Sequence, residues 1–233
     1  MTTSREPVPA GAGLYRLLAW LSPGFPIGAF SYSHGLEAAV ESGAVRDRSS
    51  LQSWVAAVAI QGGGRVDADI LRDAYRAAAA GDLAALTAVD ERGLAYRATA
   101  ELALEASAQG EAFLATIQAA WPDEFSDRRA ATGEAACYSA AVGAAAARAG
   151  IALGDALLAY LQALAANLVS AGLRLGIIGQ TDGQRILAAL EPFVIDAAAN
   201  ATTRDPSDFG AATFAVDLAS MAHETQYTRL FRS

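Results

Sequence analysis

Three side chains in this sequence are soft enough to bind a transition metal, His34, Cys137 and His223, and His223 is followed by Glu224 in a pair that invites a zinc-hydrolase reading. A helical site of that kind needs a second histidine four residues on, and Tyr227 stands there instead. Three scattered ligands are too few for a closed site within one chain, which leaves only a pairing of two histidines across a dimer axis. Nucleophilic chemistry fares no better. Ser31 and Ser33 lie beside His34 with no recognisable elbow and no acid partner, a pattern that more often serves turns and caps. All 17 basic residues are arginine. Without lysine the run Gly62, Gly63, Gly64 is not a phosphate loop, and Schiff-base or pyridoxal phosphate chemistry has no anchor. A metal-assisted hydrolase built on His223 and Glu224 is the enzymatic alternative, and the ligand count argues against it.

Binding is the chemistry that the remaining residues support. The last eleven positions, His223 to Ser233, crowd Tyr227, Arg229, Leu230, Phe231 and Arg232 into a segment too short to hold a core of its own. Arginine and tyrosine are enriched where binding energy concentrates, and leucine and phenylalanine supply apolar anchors, so such a segment calls for a surface. That surface belongs either to the chain's own domain or to another protein. The stretch from Ser22 to Glu37 is the second candidate. Pro23 and Pro26 restrict its backbone while Gly24 and Gly28 relax it, making either a packed connector or a presentation surface.

A formal net charge of −8 and a sequence pI near 4.7 would repel nucleic acid and anionic membranes alike, and leave basic protein patches as possible partners. The single Cys137 cannot form an internal disulfide, and the first residues show no basic n-region or apolar h-region. Both features suit a cytoplasmic protein, and residues 1–13 read as a flexible tail. Asp155, Gln162, Asn167 and Arg174 interrupt the most apolar region, so no stretch reads as a bilayer span.

The elements that must position these residues are helical. Leu157, Leu161, Leu164, Leu168, Gly172 and Leu175 alternate spacings of three and four, which predicts a central core helix. Leu51, Trp54, Val55 and Val58 form a second stripe, begun by a capping box of Ser49 and Gln52. Val66, Ile70, Leu71 and Ala74 predict a third helix, with Asp67 and Asp69 near its positive end. Thr181 and Gln184 repeat the capping pattern before Ile186, Leu187 and Leu190, and Pro192 is expected to start a new helix. Residues 82–118 read as one or two long helices with Gly93 and Gly110 as weak points, and 135–149 as an alanine-rich helix. Loops are expected at 22–26, 122–127 and 204–210. With no alternating pattern, the expected fold is all-α, a single bundle-like domain of about eight to ten helices.

Three motifs then stand out in order along the chain: FSYSHGLEAAVESG from Phe30, LRLGIIGQTDGQRILAALEP from Leu173, and DLASMAHETQYTRLFRS from Asp217 to the last residue. Together with the weaker ELALEASAQGEAF from Glu101, they resemble the UreF family of urease accessory proteins. The resemblance implies an all-helical, dimeric, non-enzymatic protein that forms a complex with UreD (also called UreH) and the GTPase UreG. That complex delivers nickel to apo-urease, where a carbamylated lysine bridges two nickel ions, so nickel and GTP would be handled by partners and no cofactor held tightly here. By the same resemblance Glu37, Asp67, Arg174 and His223 are candidates for a UreG-facing surface. The tail, Tyr227 to Arg232, is the candidate for docking UreD, dividing the chain into a domain over 14–222 and a docking segment over 223–233. Each polar candidate has a structural alternative: a buried Glu37–Arg174 ion pair, Asp67 as a helix N-terminal charge, His223 as a satisfied core histidine. Two departures from the family pattern are Ile177, where a proline is usual, and Ala103, where an arginine is common. The rival reading of the whole chain is a generic helical scaffold with no metallocentre role.

Overall fold

The Leu157, Leu161, Leu168 stripe becomes the spine of the protein, all three side chains losing essentially all contact with solvent. In the computed structural model, which describes residues 11–233, the helices run α1 (Ala12–Trp20), α2 (Leu36–Glu41), α3 (Arg48–Ala56), α4 (Gly63–Ala80), α5 (Leu83–Ala95), α6 (Ala100–Ala120), α7 (Glu124–Ala130), α8 (Tyr138–Arg148), α9 (Leu153–Arg174), α10 (Gln180–Thr203) and α11 (Phe214–Glu224). A π-helical turn, Ala57–Gln61, joins α3 to α4, and short 3₁₀ turns cover Ala29–Ser31 and Pro206–Asp208. No strand occurs among the described residues, so the all-α expectation is met. The first ten residues of the expected flexible tail lie outside the described residues, and α1 begins at Ala12.

The alanine-rich segment explains how the centre packs. Every residue of α8 from Ser139 to Ala146 is buried, and small side chains let α8 lie directly on α4. At Gly143 the approach is closest, because a Cβ there would overlap the carbonyl oxygen of Leu71 in α4. Gly93 and Gly110, expected as weak points, are likewise packing positions inside α5 and α6, facing Cys137 and the Ala136 carbonyl. The 82–118 region breaks instead at Tyr96–Thr99, where Thr99 caps α6 by accepting from Leu102 N.

By length and hydropathy α9 is the one described helix able to cross a bilayer, its polar interruptions notwithstanding. Half of that apolar window is buried against protein, chiefly α10, α4, α3 and α8, which is the packing of a core helix.

Several local expectations differ from the structure for identifiable reasons. The cap of α3 is Asp47 reciprocated by Ser50, because a carboxylate two residues earlier outcompetes Ser49 for the free amides. Gly179, not Thr181, precedes α10. Pro192 sits inside α10, where its ring leaves the Ala188 carbonyl without a helical donor, and both residues lie on the exposed face where water reaches. Residues 122–127 are partly helical, since Asp123 caps α7. Asp67 and Asp69 fall well inside α4, which already begins at Gly63, so neither is an N-terminal charge.

Candidate functional site

The segment from Ser22 to Glu37 turns sharply at its end, with His34 (φ 52°) and Gly35 (φ 73°) both in the left-handed region. Gly35 is required twice over. A Cβ at this position would lie 2.7 Å from the backbone nitrogen of Ser220, so only glycine lets the start of α2 press on the middle of α11. That contact sets Glu37, in the first turn of α2, against His223, in the last turn of α11.

His223 is fully buried between two carboxylates, its Nε2 3.3 Å from Glu37 Oε2 and its Nδ1 2.7 Å from Glu101 Oε2. Only the imidazolium form donates from both ring nitrogens. Each carboxylate then reaches the C-terminal segment with its remaining capacity. Glu37 accepts the backbone amides of Leu230 at 2.7 Å and Phe231 at 2.9 Å, and Glu101 accepts Arg229 Nη1 at 2.5 Å. Glu224 adds a brace by accepting the amide of Ala100 at the start of α6, at 2.9 Å.

The end of the chain is held by a second set of groups. Arg232 N donates to Ser31 O at 2.7 Å, Ser33 N donates to the backbone oxygen of Ser233 at 2.8 Å, and the Ser33 hydroxyl bonds the same oxygen. Ser233 Oγ donates to Glu105 Oε2 at 3.0 Å, and Glu105 Oε1 pairs with His34 Nε2 at 3.1 Å. Between the two sets the ring of Phe231, 3% exposed, is driven into the main core, with the Arg174 guanidinium over its outer face.

Arg174 owes its position to the way α9 stops. Gly176 takes a left-handed φ of 75°, its amide donates to Leu173 O, and Ile177 N donates to Gly172 O, a Schellman motif. The family's usual proline at position 177 has no amide and would forfeit the second bond. Ile177 also packs on the main core. The Arg174 side chain is exposed and donates to the Phe30 carbonyl.

Glu37, His223 and the segment Tyr227–Arg232 are therefore brought together, with Arg174 at their edge. The Glu37–Arg174 ion pair does not form: Glu37 spends its oxygens on His223 and the tail amides, and Phe231 takes Arg174. Asp67 lies elsewhere, 5% exposed within α4, where it accepts Arg97 Nη2 at 2.7 Å and Ser139 Oγ at 2.9 Å. Glu101 and Glu105 were not among the candidates, although their i, i+4 spacing in ELALEASAQGEAF places both on one face of α6. His34, weighed in the sequence only as a metal ligand or as the base beside Ser31 and Ser33, completes the cluster through Glu105.

Behind it opens a cavity of about 460 Å³ whose polar end is formed by His34, Asp67, Arg97, Glu105, Tyr138 and Tyr160. Burial and the Asp67 charge push both phenols upward, so they face the cavity as neutral hydroxyls. Burial works against a charge on His34, but the Glu105 carboxylate, by charge and hydrogen bond, outweighs it and holds the imidazole above its ordinary 6.5. Among the described residues no group of three or more His, Cys, Asp or Glu is arranged to hold a metal ion.

These features define an all-α protein whose buried polar groups fasten a short C-terminal segment and display its outward side chains. Residues 45–191 match the model of the UreF family. The chain is 51% identical to the urease accessory protein UreF of Rhodopseudomonas palustris (strain BisB5), over 100% of this chain and 97% of that protein. It is 49% identical to the urease accessory protein UreF of Azorhizobium caulinodans, over the full length of both. With that of Granulibacter bethesdensis it shares 50% identity, over 95% of this chain and 94% of that one. The chain belongs to the UreF family, whose members are urease accessory proteins and not enzymes.

Proposed function

We propose that this chain is a cytoplasmic, non-catalytic subunit of the urease maturation machinery, acting as a homodimer that binds UreD (UreH) and the GTPase UreG and couples GTP-dependent nickel delivery to assembly of the apo-urease active site. Nickel and GTP stay with the partners. The observation that carries this reading is the display of the C-terminal segment. Phe231 anchors it inside, while Tyr227 is fully exposed and Arg229, Leu230 and Arg232 face outward. UreD is assigned to those outward side chains. Arg174, exposed beside them, is assigned the direct contact with UreG. Glu37 and His223 support that surface by fixing the segment, and Asp67 supports it from within by ordering Arg97. A GTPase is steered only by a partner that prefers one of its states, so the nucleotide-bound, metal-loaded UreG or a UreG dimer is expected to bind in preference to the free monomer.

The test is recovery of partners on a tagged chain from cells carrying a urease operon. Cutting the chain after Ala222 would also remove His223 and leave Glu37 and Glu101 without the imidazole between them, so exposed side chains are the better target. A Tyr227→Ala, Leu230→Ala double variant is expected to keep its helical circular dichroism and to lose tenfold or more of its UreD recovery. Undiminished recovery would remove the tail from the interface. If the unaltered chain brought down no urease component, the generic scaffold would be the better account.

A further inference from the structure

Tyr160 is 5% exposed, yet neither its hydroxyl nor that of Tyr138 makes a hydrogen bond among the described residues. Neither oxygen is walled off by protein, and both tyrosines line the cavity behind the C-terminal segment. Asp67 accepts Arg97 and Ser139 through one carboxylate oxygen alone, and Gln109 donates to Glu105 while its own amide oxygen stays unengaged. Both of these residues line the same cavity. Buried polar atoms are nearly always partnered, so a set of them around one space calls for something to partner them.

We propose that this cavity is a binding site for an uncharged, amphipathic small molecule whose head both donates and accepts hydrogen bonds, as a primary carboxamide does. Such a site is separate from the outward side chains of the C-terminal segment and would stand whichever partner that segment meets.

The free groups select the head. Burial and the Asp67 charge keep both phenols protonated, so each hydroxyl can donate to a carbonyl oxygen. The remaining oxygens of Asp67 and Gln109 can only accept, and they require an N–H or O–H on the same head. The charges at this end are already matched, Asp67 with Arg97 at 2.7 Å and Glu105 with His34 at 3.1 Å. Arg97 is further held by the Gly93 carbonyl. A charged ligand would give up its hydration and find no free counter-charge, and a carboxylate would also meet the unengaged oxygen of Asp67.

The rest of the wall selects the body. It is largely apolar, with Leu21, Phe25, Ile27, Leu102, Leu164 and Leu187, and so favours hydrocarbon over water. At about 460 Å³ the cavity falls within the range of about 300–1,000 Å³ usual for small-molecule sites.

Three probes of one length and different charge test the assignment on the full chain: hexanamide, hexanoate and hexylammonium, each titrated by NMR. Hexanamide should saturate a single site, shifting the backbone amides of Ala106 and Leu164 and leaving that of Ala85 in α5 in place. Hexanoate and hexylammonium should bind at least tenfold more weakly. A Tyr138→Phe, Tyr160→Phe double variant keeps both rings and removes the two hydroxyls. It should retain its helical circular dichroism and bind hexanamide tenfold or more weakly. No saturable binding of hexanamide would show that the cavity holds water only and would overturn the site. Equal affinity for either charged probe, shifts that miss Ala106 and Leu164, or undiminished binding by a folded double variant would each overturn it as well. Should the double variant fail to fold, the ranking of the three probes on the unaltered chain decides the matter.

Discussion

The guanidinium carbon of Arg174 lies 4.4 Å from the centre of the Phe231 ring, closing over the side of the ring that the core leaves uncovered. An exposed cation–π contact of this kind contributes about 0.5–1 kcal/mol, whereas burying a phenylalanine ring is worth several times more. Phe231 is therefore the anchor and Arg174 its cover.

Phe231→Ala should consequently act locally. In a rigid core such a truncation costs about 3–5 kcal/mol, but here the segment can let go instead of leaving a cavity. Amide exchange at Leu230 and Arg232 should accelerate at least tenfold while the thermal midpoint of the domain moves little, and Arg174→Ala should give a smaller change of the same kind.

Gly143→Ala should act globally. The added methyl group meets the Leu71 carbonyl, a backbone atom that cannot swing aside, so α4 and α8 must separate. Overpacking of this sort costs about 1–3 kcal/mol, to be read as a lower denaturant midpoint at unchanged slope.

The pH dependence follows from His34, held above 6.5 in the folded protein despite burial, through the opposing charge of Glu105. Between 6.5 and that raised value the unfolded chain has released the proton and the folded chain retains it. The contribution of His34 is therefore fully present below 6.5 and is lost as pH rises through the folded value. Unfolding free energies measured by denaturant from pH 6 to 9 should decline, and His34→Gln should remove its share of that slope.

Pro192→Ala should stabilise the protein. An amide at 192 restores a donor for the Ala188 carbonyl and relieves the ring's clash with the preceding turn, worth up to about 3 kcal/mol before the added freedom of the unfolded chain is subtracted. A thermal midpoint no higher than that of the unaltered chain would show that α10 bends at this point to accommodate the ring.

What was legible in the sequence was what repeats locally. The leucines of α9 declare their helix because burial recurs every three or four residues, and the alanine run of α8 declares close packing because nothing in it is large. Capping was read imperfectly, since Asp47 and Ser49 are both competent and only the path of the preceding loop selects between them. Glycines at 93 and 110 looked like weaknesses because sequence shows the cost of a missing side chain and not the Cys137 and Ala136 groups that need the space. The site was the least legible part. Glu37 meets His223 and the Leu230 amide across almost the whole chain, and no periodicity records such a partner. Glu101 was recoverable only as a charge spaced four residues from Glu105, while Arg174 was drawn to Glu37 by its sign, when the ring of Phe231 was the neighbour waiting for it.

The absence of a side chain at Gly35 has a mechanical result. Because the start of α2 rests on the backbone of α11 with no side chain between them, neither surface can give way locally, and any residue larger than glycine at position 35 must lift one helix off the other and with it part Glu37 from His223.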